Sequence, residues 1–169
     1  FKERITAGEL YELQQGRYDI FSNENPYDFS VRGTGLDLGV AQEIQIEGNA
    51  TVIPDNGVLT STNNWTILGD TFVSTPITRT YTIKNTGSTT LTIGAISFSG
   101  TNSSEFTVTT APSASIAGGS STTFVVRFLP TAAGVRNAII SIVNNDATEN
   151  PYNFAIQGNA FTSVATPEI

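Results

Sequence analysis

An eleven-residue phrase occurs twice in this chain. Glu24-Asn25-Pro26-Tyr27-Asp28-Phe29-Ser30-Val31-Arg32-Gly33-Thr34 returns as Glu149-Asn150-Pro151-Tyr152-Asn153-Phe154-Ala155-Ile156-Gln157-Gly158-Asn159, an offset of 125 residues (24 to 149). Glu43-Ile44 is echoed at the same spacing by Glu168-Ile169. A fixed period of this size marks tandem modules. Within the phrase Tyr27, Phe29 and Val31 alternate with Asp28, Ser30 and Arg32, the period-two pattern of a half-buried strand. The chain therefore reads as three parts. Residues 1–41 are an N-terminal segment carrying the last strand of a preceding copy, 42–161 are one complete module, and 162–169 lead to the next. Modules in series build length, reach or valency.

The complete module is patterned for strands throughout. Ile44 and Ile46 share one face of a first strand, and Tyr81 and Ile83 alternate with Thr80 and Thr82. Leu91, Ile93, Ile96 and Phe98 continue after a turn at Asn85 to Ser88, and Phe106 and Val108 follow the loop of 100–104. Phe124, Val126 and Phe128, then Ala138, Ile140 and Ile142, then Tyr152, Phe154 and Ile156 complete the series. Seven or eight short strands with frequent turn residues predict an all-β immunoglobulin-like sandwich. The predicted core is Tyr81, Ile83, Leu91, Ile93, Phe106, Val108, Phe124, Val126, Phe128, Ile140, Ile142, Phe154 and Ile156. Residues 1–17 differ: Thr6-Ala7-Gly8-Glu9 fits a capping box, and Leu10 and Leu13 share a face, so a short helix is expected over about 6–15.

Three segments carry a family resemblance: Arg79 to Gly87; Ser121 to Pro130 with Gly134; and Ser141 to Asp146 leading to Glu149-Asn150-Pro151-Tyr152. Together they resemble the choice-of-anchor D repeat of bacterial surface and secreted proteins, which is similar to the Hydin-type (ASH) immunoglobulin-like domains. The resemblance covers about 43–161, and 24–35 as the tail of a preceding copy. It implies a sandwich used as a spacer or interaction module on exported proteins, and it brings no catalytic residues.

Composition narrows the chemistry. The net charge is −7, and the eight basic residues are dispersed along the chain. Nucleic-acid binding needs a dense basic patch to displace counterions, and an anionic membrane surface needs the same, so neither partner is expected. No run of apolar residues is long enough to span a bilayer as a helix, so no membrane insertion is expected. The chain has no Cys and contains no His. Disulfides and thiolate ligands are therefore absent, as is the side chain most often used as a general base.

The remaining candidates are weighed on residue type and spacing. Asp55, Asp70, Glu105, Asp146 and Glu149 could pair as general acid and base, but they fall in separate loops, and turns use Asp for local hydrogen bonds. A serine nucleophile would need Lys2 or Lys84 as its base. Asn144 to Asn150 is dense in hard oxygen donors, which makes Asp146 and Glu149 the calcium candidates; otherwise no cofactor is expected. An intramolecular isopeptide at Lys84 is set aside, because Lys84 has the opposite parity to Tyr81 and Ile83. Trp65, the single Trp, could stack on a sugar ring or pack over one end of the sandwich. Asn49, Asn64 and Asn102 begin glycosylation sequons.

The reading is a non-catalytic structural or adhesive module of a secreted or cell-surface protein, contributing to a stalk, adhesin or filament. Its expected partners are neighbouring repeats or subunits of the same protein. The strand at Tyr27 to Gly33 could pair within the N-terminal segment under the helix, or add to a sheet edge of a neighbouring subunit. The alternative is a carbohydrate-binding module of an exported protein, whose partners would be surface glycans and which would rest on Trp65.

Overall fold

The structure is a computed structural model and describes residues 41–163. The helix expected at 6–15 and the strand at 27–33 lie outside the described residues. Among the described residues the alternating segments form ten strands: β1 (Ile44–Gly48), β2 (Thr51–Ile53), β3 (Ile67–Phe72), β4 (Ile77–Asn85), β5 (Leu91–Ser99), β6 (Phe106–Thr110), β7 (Ser115–Ile116), β8 (Ser121–Phe128), β9 (Gly134–Asn144) and β10 (Tyr152–Phe161). One sheet has the order β2-β1-β4-β8-β6 and the other β3-β10-β9-β5-β7. The pairings between these strands are antiparallel except β3 with β10. The all-β sandwich is as the sequence predicts, with ten strands rather than seven or eight. β2 and β7 are three and two residues long, too short to show a period. In β3 the alternation is broken at Gly69, whose φ is +123°.

The core lies between the two sheets. Tyr81, Ile83, Phe124, Val126 and Phe128 come from the first sheet, and Ile140, Ile142, Phe154 and Ile156 face them from the second; all are at most 1% exposed. Aromatic rings carry much of the contact. Tyr81 stacks on Phe124 at 5.3 Å between centroids, Phe106 on Phe128 at 4.8 Å, and Phe154 tilts against Tyr81 at 5.9 Å. Such offset pairs add to the free energy of area burial. Val108 is the one predicted core residue that is only half-buried. It lies on β6, an edge strand whose register against β8 shifts just after it. Ile53, Leu68, Ile116 and Tyr152 are further core residues, contributed by the short or irregular strands and by the first position of β10.

β10 shows what the repeated phrase encodes. Tyr152, Phe154 and Ile156 point inward, and Gly158 occupies the next inward position. A Cβ at Gly158 would lie 2.3 Å from Phe128 Cε1, so only glycine lets the ring of β8 close against β10. The earlier copy of the phrase keeps all four positions as Tyr27, Phe29, Val31 and Gly33.

The two poles of the sandwich follow from β9, the longest strand. β1 starts beside the C-terminal end of β9, because Ile44 pairs with Asn85 and its N–H donates to Asp146 Oδ2. β10 ends beside the N-terminal end of β9, where Ala160 pairs with Gly134. The chain thus comes into the module at one end, here the leading end, and leaves it at the other, the trailing end.

Two stability measurements check this packing. Phe128→Ala should cost about 3–5 kcal/mol in denaturant melts, because a fully buried ring is removed and its cavity remains. Gly158→Ala should cost about 1–3 kcal/mol by overpacking against the same ring. A loss below ~0.5 kcal/mol in both would mean that the β8–β10 contact is loosely packed.

Candidate functional site

At the leading end the loop from β9 to β10 folds back over the start of β1. Asn144 organises it. Its Nδ2 donates to the carbonyls of Ile142 (3.2 Å) and Glu149 (2.9 Å), and its Oδ1 accepts from the Asp146 N–H (2.7 Å). Asp146 is thereby turned inward and left 3% exposed. Its Oδ1 accepts from the Thr148 N–H and hydroxyl at 2.9 and 2.8 Å, and its Oδ2 accepts from Ile44 N–H at 3.1 Å. The preceding residue, Glu43, donates its N–H to Asn85 Oδ1 at 3.3 Å. As a result carboxylate oxygens of Glu43, Asp146 and Glu149 lie within 4.8 Å of one another. Glu149 Oε2 is buried without a hydrogen-bond donor.

The three carboxylates do not share one electrostatic situation. Burial pushes the Asp146 carboxyl up, but the hydrogen bonds from Thr148 and Ile44 outweigh burial and hold it below the ordinary range. Glu149 lacks such donors. Burial raises it first, and the charges of Glu43, Asp146 and Asp55 raise it further. Asp55 belongs to the same end of the molecule through its Oδ1, which accepts from Asn153 N–H at 2.7 Å. Burial likewise raises the Tyr152 hydroxyl, which donates to the Ile53 carbonyl. Chemically this cluster can do one of two things. It can take up a proton at Glu149 more readily than an ordinary carboxylate would, or it can present hard oxygen ligands to a cation of the calcium type. Glu43, Asp146 and Glu149 are the residues that could do the latter.

This convergence corrects the expectation that the loop carboxylates stay apart. Asp146 and Glu149 come together with Glu43, a residue that spacing alone did not connect to them. A signal was present, since Glu43 and Glu149 are both reproduced by the 125-residue period, as Glu168 and Glu24.

Glu105 is the second correction. It is 4% exposed rather than solvated. A 3-10 turn at Ser103–Glu105 aims it at the trailing end, where Arg136 Nε donates to Oε2 at 2.8 Å and Arg136 Nη2 to Oε1 at 2.6 Å. Thr131 adds its N–H (3.1 Å) and its hydroxyl. The Arg136 hydrogen bonds are the largest influence, and against burial they bring the Glu105 carboxyl down to about 2. Sequence reasoning missed this pair because Arg136 lies 31 residues away on β9.

The other candidates are dispersed. Asp70 is exposed on β3 and accepts from Asn159 Nδ2 at 3.2 Å. Lys84 points outward to Glu47, 2.7 Å away, as its parity required. Trp65 is half-buried against the core at φ +57°, and the Arg79 guanidinium lies 5.4 Å from its ring centroid. Tyr81 donates its hydroxyl to the Trp65 carbonyl at 2.8 Å. The ring therefore packs partly against the core with a cation beside it. Asn64, one of the sequon residues, is buried and accepts from Thr66. A groove between β5 and β6 is lined by Ile93, Ile96, Val108, Pro112 and Ala114, and none of its lining residues is ionisable.

A sequence family with a matching pattern covers residues 60–160, from the loop before β3 to the end of β10, and is described as "Protein of unknown function (DUF1573)". The chain belongs to this family. No curated protein matches the chain. Among solved structures, a protein of unknown function from Porphyromonas gingivalis W83 is similar at 14% identity and a TM-score of 0.52, covering 74% of this chain and 50% of that one. That likeness shows the fold alone, and the chain spans half the length of that protein. The ASH / PapD-like domain of human CEP192 aligns at 12% identity and a TM-score of 0.45, over 84% of this chain and 100% of that one. The secreted serine protease VesC from Vibrio cholerae aligns at 14% identity and a TM-score of 0.42, over 54% of this chain and 21% of that one.

Both ends yield pH predictions. The Glu105 carboxyl is lowered on folding, so the stability it contributes is full above its ordinary value of 4.5 and is lost as pH falls toward about 2. Denaturant melts across that window should show a steeper acid loss for the parent than for Glu105→Gln. At neutral pH that variant should be less stable by about 3 kcal/mol, since a buried pair loses one partner. Glu149 has the opposite sign. Its carboxyl is raised on folding, so its contribution is full below the unfolded value and is lost as pH rises through the folded one. Glu149→Gln should therefore melt higher than the parent at pH 7 and show a flatter pH profile above pH 5. A calcium-dependent rise in melting temperature that this variant abolishes would assign the cluster to a cation rather than a proton.

Proposed function

We propose that this chain is a non-catalytic structural module, repeated in tandem on a secreted or cell-surface protein, where it contributes to a stalk, adhesin or filament. The observation that carries the reading is the separation of the two poles. The chain comes in beside Asn144 and leaves beside Gly134, at opposite ends of β9. Copies joined in this way stack end to end and gain length with each repeat. β9 alone accounts for roughly 35 Å at ~3.4 Å per residue.

The 125-residue period supports the same reading, because it preserves the inward residues of β10 together with the Glu149-Asn150-Pro151 turn that leads into the strand. So does the resemblance to the choice-of-anchor D repeat, which points to exported proteins. The buried side chains at both poles serve stiffness: Asn85 and Asp146 fix the start of β1, and Glu105 with Arg136 fixes the β8–β9 turn. The carbohydrate-binding alternative is less well supported, because Trp65 is partly buried against the core.

The parent polypeptide tests the proposal. It should contain further copies at the 125-residue period, and its contour length in electron micrographs should grow by roughly 40 Å per copy. A parent with one copy, or hydrolysis of a polysaccharide, ester or peptide that is lost on mutating Glu43, Asp146 or Glu149, would overturn it.

A further inference from the structure

The outward face of the second sheet carries an apolar cluster at the point where the chain leaves the module. Phe161 is the last residue of β10, and Phe72, the last of β3, is its direct partner in the parallel ladder. Val135 pairs with Asn159, which puts it diagonally next to Phe161 on the same outward face. All three stay about half exposed: Phe72 52%, Val135 54% and Phe161 48%. Isolated surface hydrophobics are ordinary, but three adjacent ones at one pole form a patch.

This patch sits on a rigid base. The Phe161 carbonyl accepts from Val73 N–H at 2.9 Å, and Ser74 N–H donates to the Pro130 carbonyl at 2.9 Å. Arg136, next to Val135, is clamped by Glu105. The position 125 residues before Phe161 is Leu36, so the preceding copy of the repeat also places a large apolar residue there.

The chain length beyond the patch limits what can cover it. In the described module the backbone is fixed again at Glu43 and Ile44, whose N–H groups are held by Asn85 and Asp146. The matching pair in the next period is Glu168-Ile169, seven residues after Phe161. Seven steps reach at most about 25 Å, less than the length of β9. A following copy is therefore confined to the neighbourhood of the trailing end.

We propose that Phe72, Val135 and Phe161 form the docking surface for the leading end of the next copy of the same module, so that successive copies are rigidly coupled rather than loosely strung. This rests on the tandem reading above and names the surface through which it works.

The test uses the full chain extended by one period, with residue 167 joined to residue 43 of a second copy. Nitrogen-15 relaxation should give both modules a single rotational correlation time. Substituting Phe72→Ser, Val135→Ser and Phe161→Ser in the first module should split it into two shorter times. The same substitutions in the 169-residue chain should leave its melting temperature within a few degrees of the parent. Phe161→Leu, the residue found at the preceding position, should retain the coupling. Independent tumbling of the unsubstituted pair overturns the proposal. So does a coupled pair that the serine substitutions do not loosen, although that result would leave the tandem reading intact. A coupled pair whose scattering profile is that of modules packed side by side would overturn the end-to-end reading itself.

Discussion

The closure of β10 against the first sheet is the contact on which the rest depends. Tyr152, Phe154 and Ile156 fill the space between the sheets, and Gly158 leaves room for the Phe128 ring. β10 is also the strand that pairs with both β9 and β3, so it fixes the register of half the second sheet. Hydrophobic burial drives this closure without direction, and the aromatic and glycine positions give it a unique geometry. The 125-residue period retains these side chains. That is understandable if each copy must close its own sandwich before it can serve as a unit of length.

Closure leaves two poles, and each is tied by buried polar groups rather than by apolar contact. At the leading end Asn85, Asn144 and Asp146 satisfy the backbone of β1 and of the β9–β10 loop. At the trailing end Glu105 binds Arg136 and Thr131. Such networks gain little over an apolar equivalent, but removing one partner leaves a buried group unsatisfied. They therefore hold particular loops in particular places. If copies are joined end to end as proposed, the loops at the poles are the parts that must not drift. The acidic cluster of Glu43, Asp146 and Glu149 sits at one of these poles and carries the one unrelieved charge conflict identified there.

Much of this was legible in the sequence. Period-two alternation located β1, β4, β8, β9 and β10, because those strands have one buried face and a regular pleat, and it located β6 through Phe106 and Val108 although that edge strand is irregular. It failed at β3, where Gly69 interrupts the pattern and the pairing is parallel, and at β2 and β7, which are too short to show a period. Val108 was misjudged because parity tells which face a residue is on, not whether the strand lies at an edge. The site was less readable. Glu105 with Arg136, and Glu43 with Asp146, are contacts between distant segments, and no local spacing announces them. Trp65 could not be decided by type alone. Its packing depends on a positive φ and on Arg79, fourteen positions later on β4.

The central claim is that copies of this module follow one another end to end. The absence of cysteine makes a direct distance measurement simple. Ser97→Cys, on the exposed face of β5, can be introduced into each of two consecutive copies and spin-labelled. Pulsed dipolar spectroscopy should then return one narrow distance of roughly 40 Å, set by the length of β9 and the junction beyond it. A distance well below the length of β9, or a distribution as broad as a flexible linker gives, would contradict the account.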